Sequence, residues 1–236
     1  MILILINLVS VFNRAIFAFT TDKRKQSLKS FMAISLPTRK VLEEIFPKKG
    51  IRENIKNYES LRDNFQTGDL IFFSGNHWLS NLIRIRSKGA WSHVGVVVKI
   101  EEINRLFLVE SILEVGVRMI PLSFLIKDYD GHKKPYDGRV AWARYENLTA
   151  EKALSIKEFA LDNLSKQYDK KEYYRILWRT IVGKEKVFHD DKYTCSEYVR
   201  AAFKHAGIYL KYERGDFISP AAIWSNPEVE FKAMLI

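Results

Sequence analysis

Cys195 is the chain's single cysteine, and it sits in Tyr193-Thr194-Cys195-Ser196-Glu197-Tyr198-Val199 at the start of a helix predicted over Cys195–Ala206, which Gly207 ends at the C′ position. A thiol in the first turn of a helix meets unpaired backbone N–H groups and the positive end of the helix dipole, both of which favour thiolate. The thiolate is the attacking species in nucleophilic catalysis, and the same N–H groups could hold an oxyanion formed on an attacked carbonyl. The competing reading is that Cys195, Val199, Ala202 and Ala206 share one helix face and that the thiol is a small core residue. The helix alone supports both equally. A lone cysteine does exclude an intramolecular disulfide and any multi-cysteine zinc or iron–sulfur site.

A thiolate nucleophile needs a base, and five histidines compete. His205 falls in the last turn of the cysteine helix, where it complements the dipole. His132 lies in the solvated stretch Asp130-Gly131-His132-Lys133-Lys134. His189 adjoins Asp190 and Asp191, but contiguous loop residues rarely converge as metal ligands. His77 follows the first strand and could line a cleft. His93 is different, because it opens the apolar strand His93-Val94-Gly95-Val96-Val97-Val98, where a polar ring needs a partner. Glu110 closes a second apolar strand, Phe107-Leu108-Val109-Glu110. A hairpin turn centred between Glu102 and Ile103 sets Gly95 opposite Glu110 and His93 opposite Ile112. His93 and Glu110 then become diagonal neighbours on one face, and Gly95 leaves room for the carboxylate. A slip of one residue would put them on opposite faces.

The elements that must position these residues are readable around them. Thr67-Gly68-Asp69 is a turn feeding the apolar strand Leu70–Phe73, and it marks the start of a domain at residue 66. A helix is possible over Leu79–Ile85. Strands are predicted over Val94–Ile100, Leu106–Ser111, Val115–Ile120 and Arg139–Tyr145, with a helix over Ala150–Ser165 capped by Thr149. Strands in the middle with helices on either side indicate an α+β domain around an antiparallel sheet.

Residues 1–65 form an apolar segment and a basic helical extension. Residues 1–66 hold twice as many Lys and Arg as Asp and Glu, so they carry much of the net charge of +10. Such an extension suits an anionic membrane or envelope surface, or simply a solvated face; no RNA-binding signature or basic zipper accompanies it, which argues against nucleic acid. Met1 to Phe19 is largely apolar, interrupted by a polar stripe of Asn7, Ser10 and Arg14. Membrane anchor or interfacial helix, signal peptide and packed helix stand equal for it. Beyond it, Pro37 opens a helix over Thr38–Phe46, and Ile51, Ile55, Tyr58 and Leu61 recur at helical spacing. The 47% hydrophobic and 13% aromatic content excludes a disordered or collagen-like chain.

Taken in order, Gly68-Asp69-Leu70-Ile71-Phe72-Phe73, Leu82-Ile83, Ser92-His93-Val94-Gly95-Val96-Val97, Val109-Glu110-Ser111, Val140 to Arg144, Gln167-Tyr168-Asp169, Tyr193 to Val199 and Ile218-Ser219-Pro220 resemble the YiiX/YaeF-like family. These are circularly permuted, NlpC-type, papain-like cysteine hydrolases. The resemblance covers roughly residues 66–230. It implies a permuted papain-like fold over 66–236, a nucleophile at Cys195, a base at His93 and an orienting carboxylate at Glu110; Tyr168 is a candidate cleft residue. A hydrogen-bonded core role suits Tyr168 equally. The implied reaction is hydrolysis of an amide bond in a peptide or acyl-amide through a thioester, with no metal or organic cofactor. Cell-wall peptides are one candidate substrate, although the chain carries no recognisable cell-wall-binding module. Two alternatives stand beside it: a lipid deacylase or acyltransferase of the same clan, and a non-catalytic structural or binding protein retaining the fold. The compartment is open between membrane-associated and cell envelope, and the chain could be encoded by a virus or phage.

Overall fold

A computed structural model describes residues 58–75, 80, 83–84, 87, 89–167, 194–210 and 218–236, all within the compact unit 44–236. A short helix, α1 (Tyr58–Leu61), precedes β1 (Leu70–Gly75), β2 (His93–Ile100), β3 (Arg105–Ile112) and β4 (Gly116–Pro121). Then come α2 (Phe124–Lys127), β5 (Gly138–Tyr145), α3 (Ala150–Asp162), α4 (Cys195–His205), α5 (Pro220–Trp224) and β6 (Val229–Met234). The six strands form one sheet in the order β4-β3-β2-β1-β5-β6, and every neighbouring pair is antiparallel. The α+β expectation holds.

Period-two alternation gives this sheet two working faces. Ile71, Phe73, Val97, Leu108, Val140 and Trp142 share one face, and Tyr58, Leu61, Phe65, Leu122 and Leu125 cover them to form the core. Phe65 stacks on Trp142 at 4.2 Å between ring centroids. The alternate residues Phe72, Val96 and Ala143 are equally buried. Helix α4 packs across β2 and β3 and against α3, with Phe203 against Tyr145. The Tyr198 hydroxyl donates to the Ala160 carbonyl of α3 at 3.0 Å. Both faces are therefore covered, and long apolar runs such as Val96-Val97-Val98 are what a strand buried on both sides requires.

Asp69 pins the start of β1. Its carboxylate accepts from Arg144 Nε at 2.7 Å, from the far end of that guanidinium at 2.9 Å and from the Gln66 backbone at 2.9 Å. Burial pushes the Asp69 carboxyl up, against the pull of Arg144 and Gln66. Its place, on the strand end opposite His93, makes it a structural residue that ties β1 to β5.

The hairpin between β2 and β3 has the expected register. Val96 pairs Val109, Val97 pairs Leu108 and Ile100 pairs Arg105, around a turn at Glu101–Ile103 closed by Asn104 with φ +46°. Gly95 therefore lies beside Glu110. A Cβ there would stand 2.6 Å from Leu108 Cδ1, 3.0 Å from the Val109 carbonyl oxygen and 3.1 Å from Glu110 Cβ. Gly95→Ala is expected to destabilise the domain by about 1–3 kcal/mol through overpacking, measurable as a lowered thermal midpoint, and to displace Glu110. An unchanged midpoint would show that the hairpin absorbs the methyl freely.

Helix α3 starts at the expected cap, with the Thr149 hydroxyl accepting from Lys152 N, but ends earlier than its apolar pattern suggests. Asn163 turns its side-chain amide onto the Phe159 carbonyl at 2.7 Å, and Ser165 takes φ +67°. The chain then runs beside β4, with Ser165 N donating to the Val117 carbonyl and Val117 N to the Lys166 carbonyl. Strand β6 was not anticipated, although Val229-Glu230-Phe231-Lys232-Ala233-Met234 alternates with period two. Ser80, Ile83, Arg84 and Ser87 are helical, within and just beyond the stretch where a helix was expected. Of the expected helix with apolar positions Ile51, Ile55, Tyr58 and Leu61, the end is described as α1, with Tyr58 and Leu61 buried; residues 1–57, including the expected helix over Thr38–Phe46, lie outside the described residues.

Candidate active site

The start of α4 is fixed by a capping box. Thr194 is the N-cap; its hydroxyl accepts from Glu197 N at 3.4 Å, while Glu197 Oε2 accepts from Thr194 N at 2.9 Å. The Thr-x-x-Glu spacing is the sequence signal for this motif. At the other end, Gly207 has φ +73°, its N–H donates to the Lys204 carbonyl, and Ile208 N donates to the Phe203 carbonyl; the pair of bonds forms a Schellman cap. Between these stops Cys195 occupies the first helical position. It is 8% exposed, so the core reading describes its burial correctly. What that reading omits is the surroundings: the His93 ring, the Ser196 hydroxyl and the Val94 N–H all favour the thiolate, with the Ser196 hydroxyl 3.8 Å from Sγ.

His93 is the first residue of β2. Its Nε2 lies 2.7 Å from Glu110 Oε2. The ring stands against Phe73, its partner on β1, at 5.1 Å between centroids. Glu110 is wholly buried and His93 is 23% exposed, so the carboxylate lies behind the imidazole and away from solvent. Sequence reasoning did not single out Arg118 of β4. It is the cross-strand partner of Glu110, and its Nε donates to Glu110 Oε1 at 2.9 Å, with a terminal nitrogen 2.8 Å from the same oxygen. The signal is a basic residue on the strand after Glu110, placed across from it once Ile112 pairs with Gly116.

The charges of this row depend on one another. Burial pushes the Cys195 thiol up, but the His93 ring, Ser196 and the Val94 N–H outweigh it, and the thiol falls below its ordinary range. Burial would lower His93; the thiolate and the Glu110 carboxylate beside it instead raise its pKa to about 10. Burial likewise pushes Glu110 up, yet the bonds from His93 and Arg118 hold it below the usual carboxylate range. The directions agree with one another: a lowered thiol, a raised imidazole and a lowered carboxyl, each shifted by its neighbours.

Among the other candidates, His132 is exposed. His205 is also exposed, and its ring packs against Phe159; neither comes to this row. His77, Tyr168 and His189 lie outside the described residues. The segment Ile218-Ser219-Pro220 caps α5, with Ser219 Oγ accepting from Ala222 N at 3.1 Å and Pro220 at the first helical position.

The solved structure of YiiX from Escherichia coli O157:H7, described as a metalloprotein, is similar to this chain with a TM-score of 0.54 at 20% identity, covering 71% of this chain and 96% of that one. At that identity the likeness speaks for the fold. Among the described residues no group of three or more His, Cys, Asp or Glu side chains is arranged to hold a metal ion. Both Glu110 oxygens are already engaged, by His93 and by Arg118, so the row does not fit a metal. No curated protein sequence matches the chain. The model of the permuted papain-like amidases, YaeF/YiiX, family C92, matches residues 64–215, which takes in the His93 strand, the Glu110 strand and the Cys195 helix. The chain belongs to that family of permuted papain-like amidases.

Proposed function

We propose that this protein hydrolyses an amide bond in a peptide or acyl-amide substrate through a thioester on Cys195. The observation that carries the reading is the row Cys195–His93–Glu110, in which a thiol with a lowered pKa meets an imidazole backed by a buried carboxylate. In this reaction the Cys195 thiolate attacks the carbonyl carbon, and the backbone N–H of Cys195 helps hold the oxyanion. His93 gives its proton to the departing amine as the C–N bond breaks. It then takes a proton from water, whose oxygen attacks the thioester, and the acid product leaves with the thiolate restored. Glu110 holds His93 in the orientation that faces the thiol and favours the imidazolium.

The substrate class is tested by incubating the purified protein with muropeptides and with phospholipid vesicles separately, followed by mass spectrometry. Cleaved muropeptides with a transient acyl group on Cys195 are the expected result. Free fatty acid and an acylated Cys195 from the vesicles would move the reading to a lipid deacylase of the same chemistry. Absence of product and adduct in both, with Cys195 alkylated by iodoacetamide only after denaturation, would overturn the hydrolase reading. Among the described residues no helix is long and apolar enough to cross a membrane.

A further inference from the structure

We propose that Arg118 is a positioning residue of the site, a fixed positive charge that holds the Glu110 carboxylate ionised and turned so that Oε2 faces His93. The inference rests on the triad reading above and extends it by one residue.

The geometry is specific. Glu110 is wholly buried, and a buried carboxylate stays charged only if its partners replace water. His93 serves one oxygen. Arg118 serves the other: its Nε donates at 2.9 Å, and a terminal nitrogen of the same guanidinium lies in ion-pair range at 2.8 Å. With Oε2 met by His93 and Oε1 by Arg118, both oxygens are engaged and the carboxylate's rotation is set from two sides. The Tyr129 ring lies under the guanidinium, 5.9 Å from its carbon, so the arginine is itself held. Glu110 and Arg118 are direct cross-strand partners, the closest placement a hairpin allows.

The two cations beside Glu110 differ in kind. His93 must lose and regain a proton during each turnover, so it cannot by itself guarantee the carboxylate's charge. Arg118 does not titrate in the working range. Among the described residues, the groups that face Glu110 are His93 from β2, Arg118 from β4 and Tyr136 from the segment before β5, with Cys195 of α4 beyond the imidazole. Burial, and after it the Glu110 charge, push the Tyr136 pKa up to about 12, so it stays neutral while the others titrate.

The sign of the effect follows. Without the guanidinium's charge, Glu110 takes up a proton at higher pH. A protonated Glu110 no longer supports the imidazolium, and the thiol keeps its proton. The acid limb of Cys195 reactivity therefore moves to higher pH.

The test is the rate of Cys195 alkylation by iodoacetamide from pH 4 to 10 in the full chain, followed by mass spectrometry. Arg118→Gln keeps a donor of similar reach without the charge. Its acid limb is expected to rise by about one pH unit, a roughly tenfold slower alkylation below both limbs. Arg118→Lys keeps the charge but removes the Nε donor from Oε1; its limb should stay near the parent's, and hydrolysis should slow because Oε1 loses the bond that turns Oε2 toward His93. A folded Arg118→Gln protein with the parent's acid limb overturns the proposal. Should that variant not fold, a lysine variant equal to the parent in both alkylation and hydrolysis overturns it. A parent protein whose thiol titrates near the ordinary value of about 8.5 would instead overturn the triad reading itself.

Discussion

Replacing Cys195 with alanine is expected to leave a folded domain with no turnover. The side chain is small and stands at the first position of a helix whose ends are fixed by Thr194, Glu197 and Gly207, so the lost volume costs little. Loss of the nucleophile should lower kcat by about 10⁴-fold or more, because no other thiol exists to replace it. The pH dependence carries further information. Hydrolysis needs thiolate and imidazolium together, so activity should fall on the acid side as the thiolate is protonated, below the ordinary thiol range. It should fall again on the alkaline side near pH 10, as His93 loses its proton. Iodoacetamide should label Cys195 rapidly at neutral pH in the native protein. A thiol that labels only in denaturant would return Cys195 to the role of a buried apolar residue.

The parts of the site that could be read from sequence were those fixed by local rules. A short polar connection between two β-branched runs fixes a hairpin's register, and register decides which side chains share a face. That was enough to bring Glu110 beside Gly95 and within reach of His93. The helix bearing Cys195 was readable because its apolar spacing and a C′ glycine mark it. Which residue of another element faces the thiol was open from the helix alone, since the same face pattern serves a core cysteine. The ordered set of family motifs pointed to His93, and the His93 ring is among the groups that lower the Cys195 thiol.

What escaped the sequence depended on several pairings at once. Arg118 reaches Glu110 only because β3 and β4 pair in one register, with Ile112 against Gly116 across a turn whose glycine has φ +83°. Arg144 meets Asp69 across 75 residues of chain, through the pairing of β1 with β5, which no local pattern specifies. Charged residues in half-buried strands read singly as solvated positions. Their partners appear only when the whole sheet order is known.

Glu110→Gln separates an orienting carboxylate from a structural one. Glutamine matches the shape and retains hydrogen bonds but removes the charge between His93 and Arg118. Left opposite a neutral amide, Arg118 loses its counterion, and stability should fall by a few kcal/mol, about 3 by analogy with broken buried pairs, with the domain still folded. Activity should fall by about 10²- to 10⁴-fold, because the imidazole loses both its preferred tautomer and the charge that favours its protonated form. Cys195 should alkylate more slowly at neutral pH as the thiolate–imidazolium pair weakens. His93→Ala should lose more, since it removes the proton carrier itself. Combined with His93→Ala, the Glu110→Gln change should cost scarcely anything further in turnover, because a carboxylate that acts through an imidazole has no role once the imidazole is gone. The stability loss should persist in the double variant, since it comes from the Arg118 side of the carboxylate. Multiplicative losses of activity, or a Glu110→Gln protein as active as the parent, would make Glu110 a strand residue that serves Arg118 alone. The group orienting His93 would then have to be sought on another element facing the Cys195 helix.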